Sequence, residues 1–301
     1  MDFSDISVII LTYNEEMHLE RCILSIKGFA KDIYVVDSHS TDRTVELAES
    51  LGAKVYSNKW LNYATQFNWA LENIPINTTW VVRLDADEVF TDELCEQFRK
   101  RVDMLGESVT GIYVRRKVYF MDRWIRHGNM YPIYLLRIWR YGKGRCEERW
   151  MDEHIKLDGG ETVKFTGNII DHNKRSLGWW TEKHNGYATR EVIDLLNIKY
   201  RLVEATSVKA SLFGTQEERK RWLKLLYAEI PLFVRPFMYF FFRYFCKFGF
   251  LDGKEGLVWH FLQGFWYRFL VDAKIYEIRR AGGNNAAGIR QALQSIYSIT
   301  V

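Results

Sequence analysis

The chain is short of several features that would narrow its function at once. It holds four cysteines in 301 residues, Cys22, Cys95, Cys146 and Cys246. They lie far apart, with no CxxC pair and no histidine at zinc-finger spacing, which argues against a disulfide framework or structural zinc and suits a reducing cytoplasm. Neither GxGxxG nor GxxxxGK follows any strand-like run, so a bound diphosphate would need a counter-charge other than a helix N-terminus. A formal net charge of only +4 gives no global argument for nucleic acid, and none is expected as a partner. The start, from Met1 through Asp2 and Asp5 into a strand-like run, lacks the basic, apolar character of a signal peptide. In the aromatic-rich stretch from 230 to 270 the longest uncharged run, Leu257 to Tyr267, falls far short of the roughly 20 apolar residues that span a bilayer.

What is present is a regular alternation. ISVIIL (Ile6–Leu11), IYVV (Ile33–Val36), a short strand Lys54–Tyr56 and the strand Trp80–Leu84 are separated by helical stretches, the first with Leu19, Ile23 and Ile26 on one face. Short apolar strands between helices predict a parallel sheet covered on both faces. Ligands of such sheets sit beyond the carboxyl ends of the strands. Three of these ends are polar: Thr12 to Glu15, Asp37-Ser38, and Asp85 to Glu88. Residues 108 to 170 read more like antiparallel strands (Ile112–Val114, Tyr134–Ile138, Thr162–Phe165). Leu177 to Leu196 and Arg219 to Ala228 read as helices, and Ile289 to Tyr297 as a short one.

The last strand end, VVRLDADEVF, is the most informative. Two acids spaced i, i+2 leave a strand on the same side with the small Ala86 between them, and they repel unless a cation sits between or beside them. Hard oxygen ligands favour Mn²⁺ or Mg²⁺ with positions left open for phosphate oxygens. The bland alternative, capping of the next helix or exposure to water, covers Asp92, Glu93 and Asp42.

SVIILTYNEE, IYVVDSHSTDRT and RLDADE, in that order and spacing, resemble the nucleotide-binding half of family two glycosyltransferases of the GT-A fold. The resemblance implies an α/β fold with a Rossmann-like nucleotide-binding half, a mixed sheet and a C-terminal amphipathic helical region. It implies that Thr12, Tyr13, Asn14 and Glu15 line the nucleoside pocket and that Asp37 meets the base, most often uracil. Asp85 and Ala86 would then lie near the ribose and diphosphate, and Asp87 would ligate Mn²⁺ or Mg²⁺. Gln66 and Asn68, in YATQFNWAL, would help hold the nucleotide. His172 is a further candidate for the metal or diphosphate, although a lone histidine is more often a structural hydrogen-bonding residue.

Inverting transfer needs one side chain to take the acceptor's proton. In bacterial polysaccharide and lipopolysaccharide-core members an acid, often in a His-Glu pair, stands where this chain has Trp150-Met151-Asp152-Glu153-His154. The choice lies between Glu153, which is favoured, and Asp152. A solvated acidic turn is the bland reading.

Residues 230 to 270, IPLFVRPFMYFFFRYFCKFGFLDGKEGLVWHFLQGFWYRFL, mix aromatics with Arg235, Arg243, Lys247 and Arg268. That composition predicts helices lying in the headgroup region of a bilayer, with an aromatic core or a homo-oligomer interface as the alternative. GFLDGKEG also resembles the C-terminal region of the same bacterial enzymes, which act on lipid-linked acceptors at the cytoplasmic face of the inner membrane. The expected partners are thus a nucleotide-sugar donor (a UDP-sugar), a lipid-linked saccharide acceptor and the inner-membrane surface, bound peripherally or monotopically. The expected division is 1–105 for the donor half, 106–225 for the acceptor half, 226–281 for the membrane-associating helices and 282–301 for the tail. A nucleotidyltransferase would want a glycine- and arginine-rich loop near residue 12, where TYNEE stands. A non-catalytic adaptor on the same scaffold would be expected to lose acids at 85, 87 or 153.

Overall fold

A computed structural model describes residues 4–147, 154–202 and 216–300. It divides into two compact units, Met1–Lys174 and Arg175–Val301.

The first unit opens with four strands, β1 (Ser4–Thr12), β2 (Ala30–Asp37), β3 (Lys54–Ser57) and β4 (Trp80–Asp85), joined through helices α1 (Glu16–Ile26), α2 (Thr44–Ser50) and α3 (Tyr63–Asn73). The strands lie parallel in the order β3-β2-β1-β4. Ile6, Val8 and Ile10 point to one face of β1 and meet Leu19, Ile23 and Ile26 of α1, while Ile9 and Leu11 point to the other and meet Phe67 and Ala70 of α3. Both faces are therefore apolar, which is why β1 reads as an unbroken hydrophobic run rather than an alternating one. Asn62 caps α3 by accepting from the Thr65 N–H at 2.8 Å.

The rest of the unit adds β5 (Glu88–Phe90), α4 (Asp92–Arg101), β6 (Val109–Phe120), β7 (Arg123–Ile125), β8 (Ile133–Arg140), β9 (Gly144–Cys146), β10 (Ile155–Leu157) and β11 (Glu161–His172). The sheet continues β4-β8-β6-β11-β5, with β7 on β6, while β9 and β10 form a separate ribbon. The antiparallel expectation holds for β6 against β8 and fails for Thr162–Phe165, because β11 runs parallel to β6. After β8 the chain passes through the β9–β10 ribbon and re-enters the sheet on the far side of β6, so it runs in the β6 direction. Gly167 permits this packing: a Cβ there would lie 2.4 Å from the Leu94 backbone of α4. The outcome is the expected α/β class, a Rossmann-like half extended into a mixed sheet, with a helical C-terminal unit.

That unit holds α5 (Leu177–Tyr200), α6 (Gln216–Glu229), α7 (Val234–Phe241), α8 (Gly253–Trp259), α9 (Tyr267–Gly282) and α10 (Ala286–Tyr297). Its core is Ala188, Val192 and Leu196 of α5 against Val271, Ile275 and Ile278 of α9 and Ile289 and Leu293 of α10. These positions repeat at helical spacing, so each helix buries one stripe. Two π-helical turns, Phe242–Cys246 and His260–Trp266, extend α7 and α8. Phe237, Phe241, Phe245 and Phe248 are each about half exposed or more (58%, 58%, 48% and 57%).

The basic residues of this region behave otherwise than the sequence reading requires. Arg235 is 2% exposed, with Nε donating to Asp272 at 2.7 Å. Arg243 is buried beside the Tyr239 ring, and Arg268 sits 3.7 Å from Glu191. Of the four cations expected at lipid phosphates, Lys247 alone is exposed. The reason is energetic: a guanidinium inside an aromatic helical unit is held by a carboxylate or a ring face in place of water. Among the described residues no helix is long and apolar enough to cross a membrane.

Candidate functional site

The parallel register brings the three polar strand ends into one row. Thr12 pairs with Asp37, and Leu11 pairs with Asp85. The segments following these strands consequently meet at one sheet edge, although 25 residues separate Thr12 from Asp37.

The first two loops are fastened to each other. Thr12 Oγ1 donates to Asp37 Oδ1 at 2.9 Å, and the Ser40 N–H donates to Asp37 Oδ2 at 2.8 Å. Asn14, in the left-handed region at φ 54°, accepts from the Thr41 N–H at 2.7 Å, while its own N–H donates to Ser40 Oγ at 2.8 Å. The Glu15 N–H donates to Thr44 Oγ1 at 2.8 Å, and Glu15 Oε2 lies 2.7 Å from His18 Nδ1. Tyr13 is left 58% exposed, a ring open to stacking. Gln66 is buried and donates to Ser38 Oγ at 3.1 Å, which ties α3 to the second loop. Asn68 lies elsewhere: its amide exchanges two hydrogen bonds with the Cys146 backbone, at 2.9 and 2.8 Å, and holds β9.

The third strand end separates its carboxylates into three roles. Asp85 accepts from Tyr63 Oη at 2.5 Å and from Arg137 Nη2 at 3.1 Å. Arg83 supports the tyrosine, donating to Tyr63 Oη at 2.8 Å with its guanidinium 4.1 Å from the ring centroid. Burial would raise the Asp85 carboxyl, but Arg137 and Arg83 override it and hold the group well below the usual carboxylate range. Glu88 turns inward. It is 2% exposed, accepts from Arg137 Nη2 at 2.5 Å and from the Asp85 N–H at 3.1 Å. Burial, with Asp85 and Asp171 beside it, pushes Glu88 up to about 8 against the opposing pull of Arg137. The cation demanded by this acidic strand end is therefore in part a guanidinium from β8, not a metal ion.

Asp87 is the carboxylate left for a ligand. Its Oδ2 accepts from Asn173 Nδ2 at 2.9 Å, and its carbonyl accepts from the His172 N–H and from Arg21 Nη2, both at 3.1 Å. The end of β11 thus fixes the turn that carries Asp87, with the buried Ala86 between the two acids. His172 Nε2 lies 2.9 Å from Asp122 Oδ1, so the imidazole already has a protein partner. Burial and the neighbouring Arg21 lower its basicity and favour the neutral ring. Asp171, 3.6 Å from Arg116, is pushed up to about 6 by burial, with Asp87 and Asp85 adding to the shift.

A divalent ion fits this donor set in one mode. The described residues hold no cluster of three or more ligands. Mg²⁺ and Mn²⁺ are commonly held by one or two carboxylates with the remaining positions taken by water and substrate phosphates. Asp87 supplies such an oxygen, and Asp85 has both of its oxygens engaged. Glu153 and Asp152 lie outside the described residues. Sequence reading missed Arg137, Tyr63 and Arg83. One signal was available for Arg137: a cation inside the apolar run YLLRIW needs a buried acid, and the acids stood at 85 and 88.

Comparison with known proteins bears on the same segment. The model of the family described as "Glycosyl transferase family 2" matches residues 7–154. An uncharacterized glycosyltransferase of Rickettsia bellii is 48% identical over 92 residues, which are 31% of this chain and 31% of that protein. The match therefore spans under a third of that relative's length. A lipopolysaccharide core biosynthesis glycosyltransferase of Rhizobium meliloti, LpsC, is 27% identical over 278 residues, covering 90% of this chain and 92% of that one. Among solved structures, glucosyl-3-phosphoglycerate synthase from Mycobacterium tuberculosis with Mn²⁺ and UDP aligns at 25% identity with a TM-score of 0.32, over 37% of this chain and 44% of that one. Through residues 7–154, the chain belongs to glycosyl transferase family 2.

Proposed function

We propose that the protein transfers a sugar with inversion from a nucleotide-sugar, a UDP-sugar, to a lipid-linked or lipopolysaccharide-type saccharide. The observation that carries this reading is the row of Thr12, Asp37, Asp85 and Asp87 at the carboxyl edge of a parallel sheet. The full-length likeness to an enzyme named for lipopolysaccharide core biosynthesis supports the acceptor class.

In this reading the TYNEE and DSHST loops, pinned to each other, form the nucleoside wall with Tyr13 as its open ring. Asp85, held anionic by Arg137, faces the ribose and keeps the turn rigid. Asp87 is the residue that would hold Mn²⁺ or Mg²⁺, whose chemistry is to stabilise the charge on the departing diphosphate. Glu153 removes the proton from the acceptor hydroxyl as it attacks the anomeric carbon, and the sugar–phosphate bond breaks on the opposite side. Incubation with a panel of nucleotide-sugars and Mn²⁺ should release UDP, and no nucleotide release from any of them would overturn the proposal. Asp87→Asn should lower Mn²⁺-dependent UDP affinity by about 100-fold or more, at least the scale seen when a partner of a metal ligand is removed. Its melting temperature should stay unchanged, since the carboxylate lies at a strand end. Calorimetry settles both points.

The C-terminal unit attaches to the cytoplasmic face of the inner membrane through its exposed aromatic face. Because Arg235 and Arg243 are buried and Arg268 is half-buried beside Glu191, attachment rests on ring insertion far more than on charge. Flotation with vesicles should persist at high salt and should be lost in Phe241→Ser/Phe245→Ser/Phe248→Ser. Full-length protein that stays off anionic and neutral vesicles alike would assign these rings to a homo-oligomer interface.

A further inference from the structure

Asp85 is gripped on both oxygens and still partly open. Tyr63 Oη donates to its Oδ1 at 2.5 Å, and Arg137 Nη2 donates to its Oδ2 at 3.1 Å. A carboxylate offers about four lone-pair sites. Among the described residues these two side-chain hydrogen bonds are the ones that reach it, so one lone pair is left on each oxygen. The Asp85 side chain is 30% exposed, whereas that of Glu88 beside it is 2% exposed. What remains open on Asp85 can therefore meet a ligand.

Tyr63 decides how those lone pairs are presented. It is the first residue of α3, directly after the Asn62 cap. A phenol has one proton to give. Arg83 Nε donates to the Tyr63 oxygen at 2.8 Å, which directs that proton to Asp85. The ring is stacked with Phe67 at 6.4 Å, meets the Trp60 ring edge-on at 6.5 Å, and has the Arg83 guanidinium 4.1 Å from its centroid. A hydroxyl on a ring packed in this way is a fixed donor. With Arg137 on the other oxygen, it fixes the plane of the carboxylate.

A fixed, acceptor-only carboxylate with one site open per oxygen suits a vicinal diol, whose two hydroxyls can donate side by side. A sugar that lacks one of them leaves an anionic acceptor unpaired. We propose that Tyr63 is a positioning residue that holds Asp85 to accept both ribose hydroxyls of the donor, so that the enzyme selects ribonucleotide over 2′-deoxyribonucleotide sugars. This rests on the glycosyl-transfer reading, in which Asp85 faces the ribose, and adds to it that deoxythymidine diphosphate sugars are disfavoured as donors.

Calorimetry on the full chain with Mn²⁺ compares UDP with 2′-deoxy-UDP, which differ by that hydroxyl alone. Wild type should bind UDP about 10- to 100-fold tighter, the range for one hydrogen bond to a charged group. Tyr63→Phe keeps the ring and removes the donor. It should lose most of that ratio through weaker UDP binding, while 2′-deoxy-UDP binds within about threefold of wild type. Equal affinity of wild type for the two nucleotides overturns the inference without recourse to any variant. A ratio that survives Tyr63→Phe, or a variant that loses both nucleotides alike, overturns the role of Tyr63. Binding of neither nucleotide by wild type overturns the donor reading and this inference with it, whereas binding without discrimination overturns this inference alone.

Discussion

Arg137→Met should destabilise the first unit by about 3–5 kcal/mol, the scale for removing one partner of a buried ion pair. The guanidinium is 5% exposed and one nitrogen, Nη2, serves both Asp85 and Glu88, at 3.1 and 2.5 Å. Methionine removes the charge, and leaves the Asp85 carboxylate and the Glu88 carboxyl facing each other out of water. Arg137→Lys should rescue only in part, since an ammonium cannot reproduce the planar fork. Arg137→Met/Glu88→Leu should recover much of the loss, because the inward acid is then gone as well. The pH dependence of Glu88 carries a defined sign. Its folded value is raised to about 8 from an ordinary 4.5, so the folded chain binds more protons than the unfolded chain between those values. Its contribution to stability is full below pH 4.5 and is lost as the pH rises toward 8. Without Arg137 the neutral form is favoured further, so the variant should gain stability relative to wild type on going from pH 8 to pH 5. Thermal melts at the two pH values measure this, and an unchanged melting temperature at pH 8 would remove Arg137 from the support of the site.

Glu153→Gln should leave UDP binding intact and lower the transfer rate by about 10²–10⁴-fold, the range for a general base. Glutamine keeps the size of the side chain and loses the ability to take a proton, so the defect should fall on kcat far more than on the donor's KM. Asp152→Asn is the control that separates neighbours. If it is the inactive variant while Glu153→Gln is near normal, the base is Asp152. The position lies between β9 and β10, whose ribbon is anchored by the Asn68–Cys146 exchange. Loss of that anchor in Asn68→Ala offers an independent perturbation of the same segment.

The strand–helix alternation and the three polar strand ends were legible in the sequence because they are local. Apolar runs such as ISVIIL specify strands buried on both faces, and TYNEE, DSHST and DADE stand where those runs stop. Parallel pairing of neighbouring strands then aligns their ends with little freedom. Only the tertiary structure decided how the charges are distributed. Arg137 stands 52 residues from Asp85, and Asn173 stands 86 residues from Asp87. Nothing local in the sequence says that DADE contains one carboxylate locked by a guanidinium, one turned inward and one left for a ligand. The same holds for Arg235, a membrane-facing cation by composition and a buried partner of Asp272 in the fold. Hydropathy determines which segments leave water. A charge carried along with such a segment must find its partner wherever sheet order and helix packing bring one within hydrogen-bonding distance, and that distance is set by the whole chain.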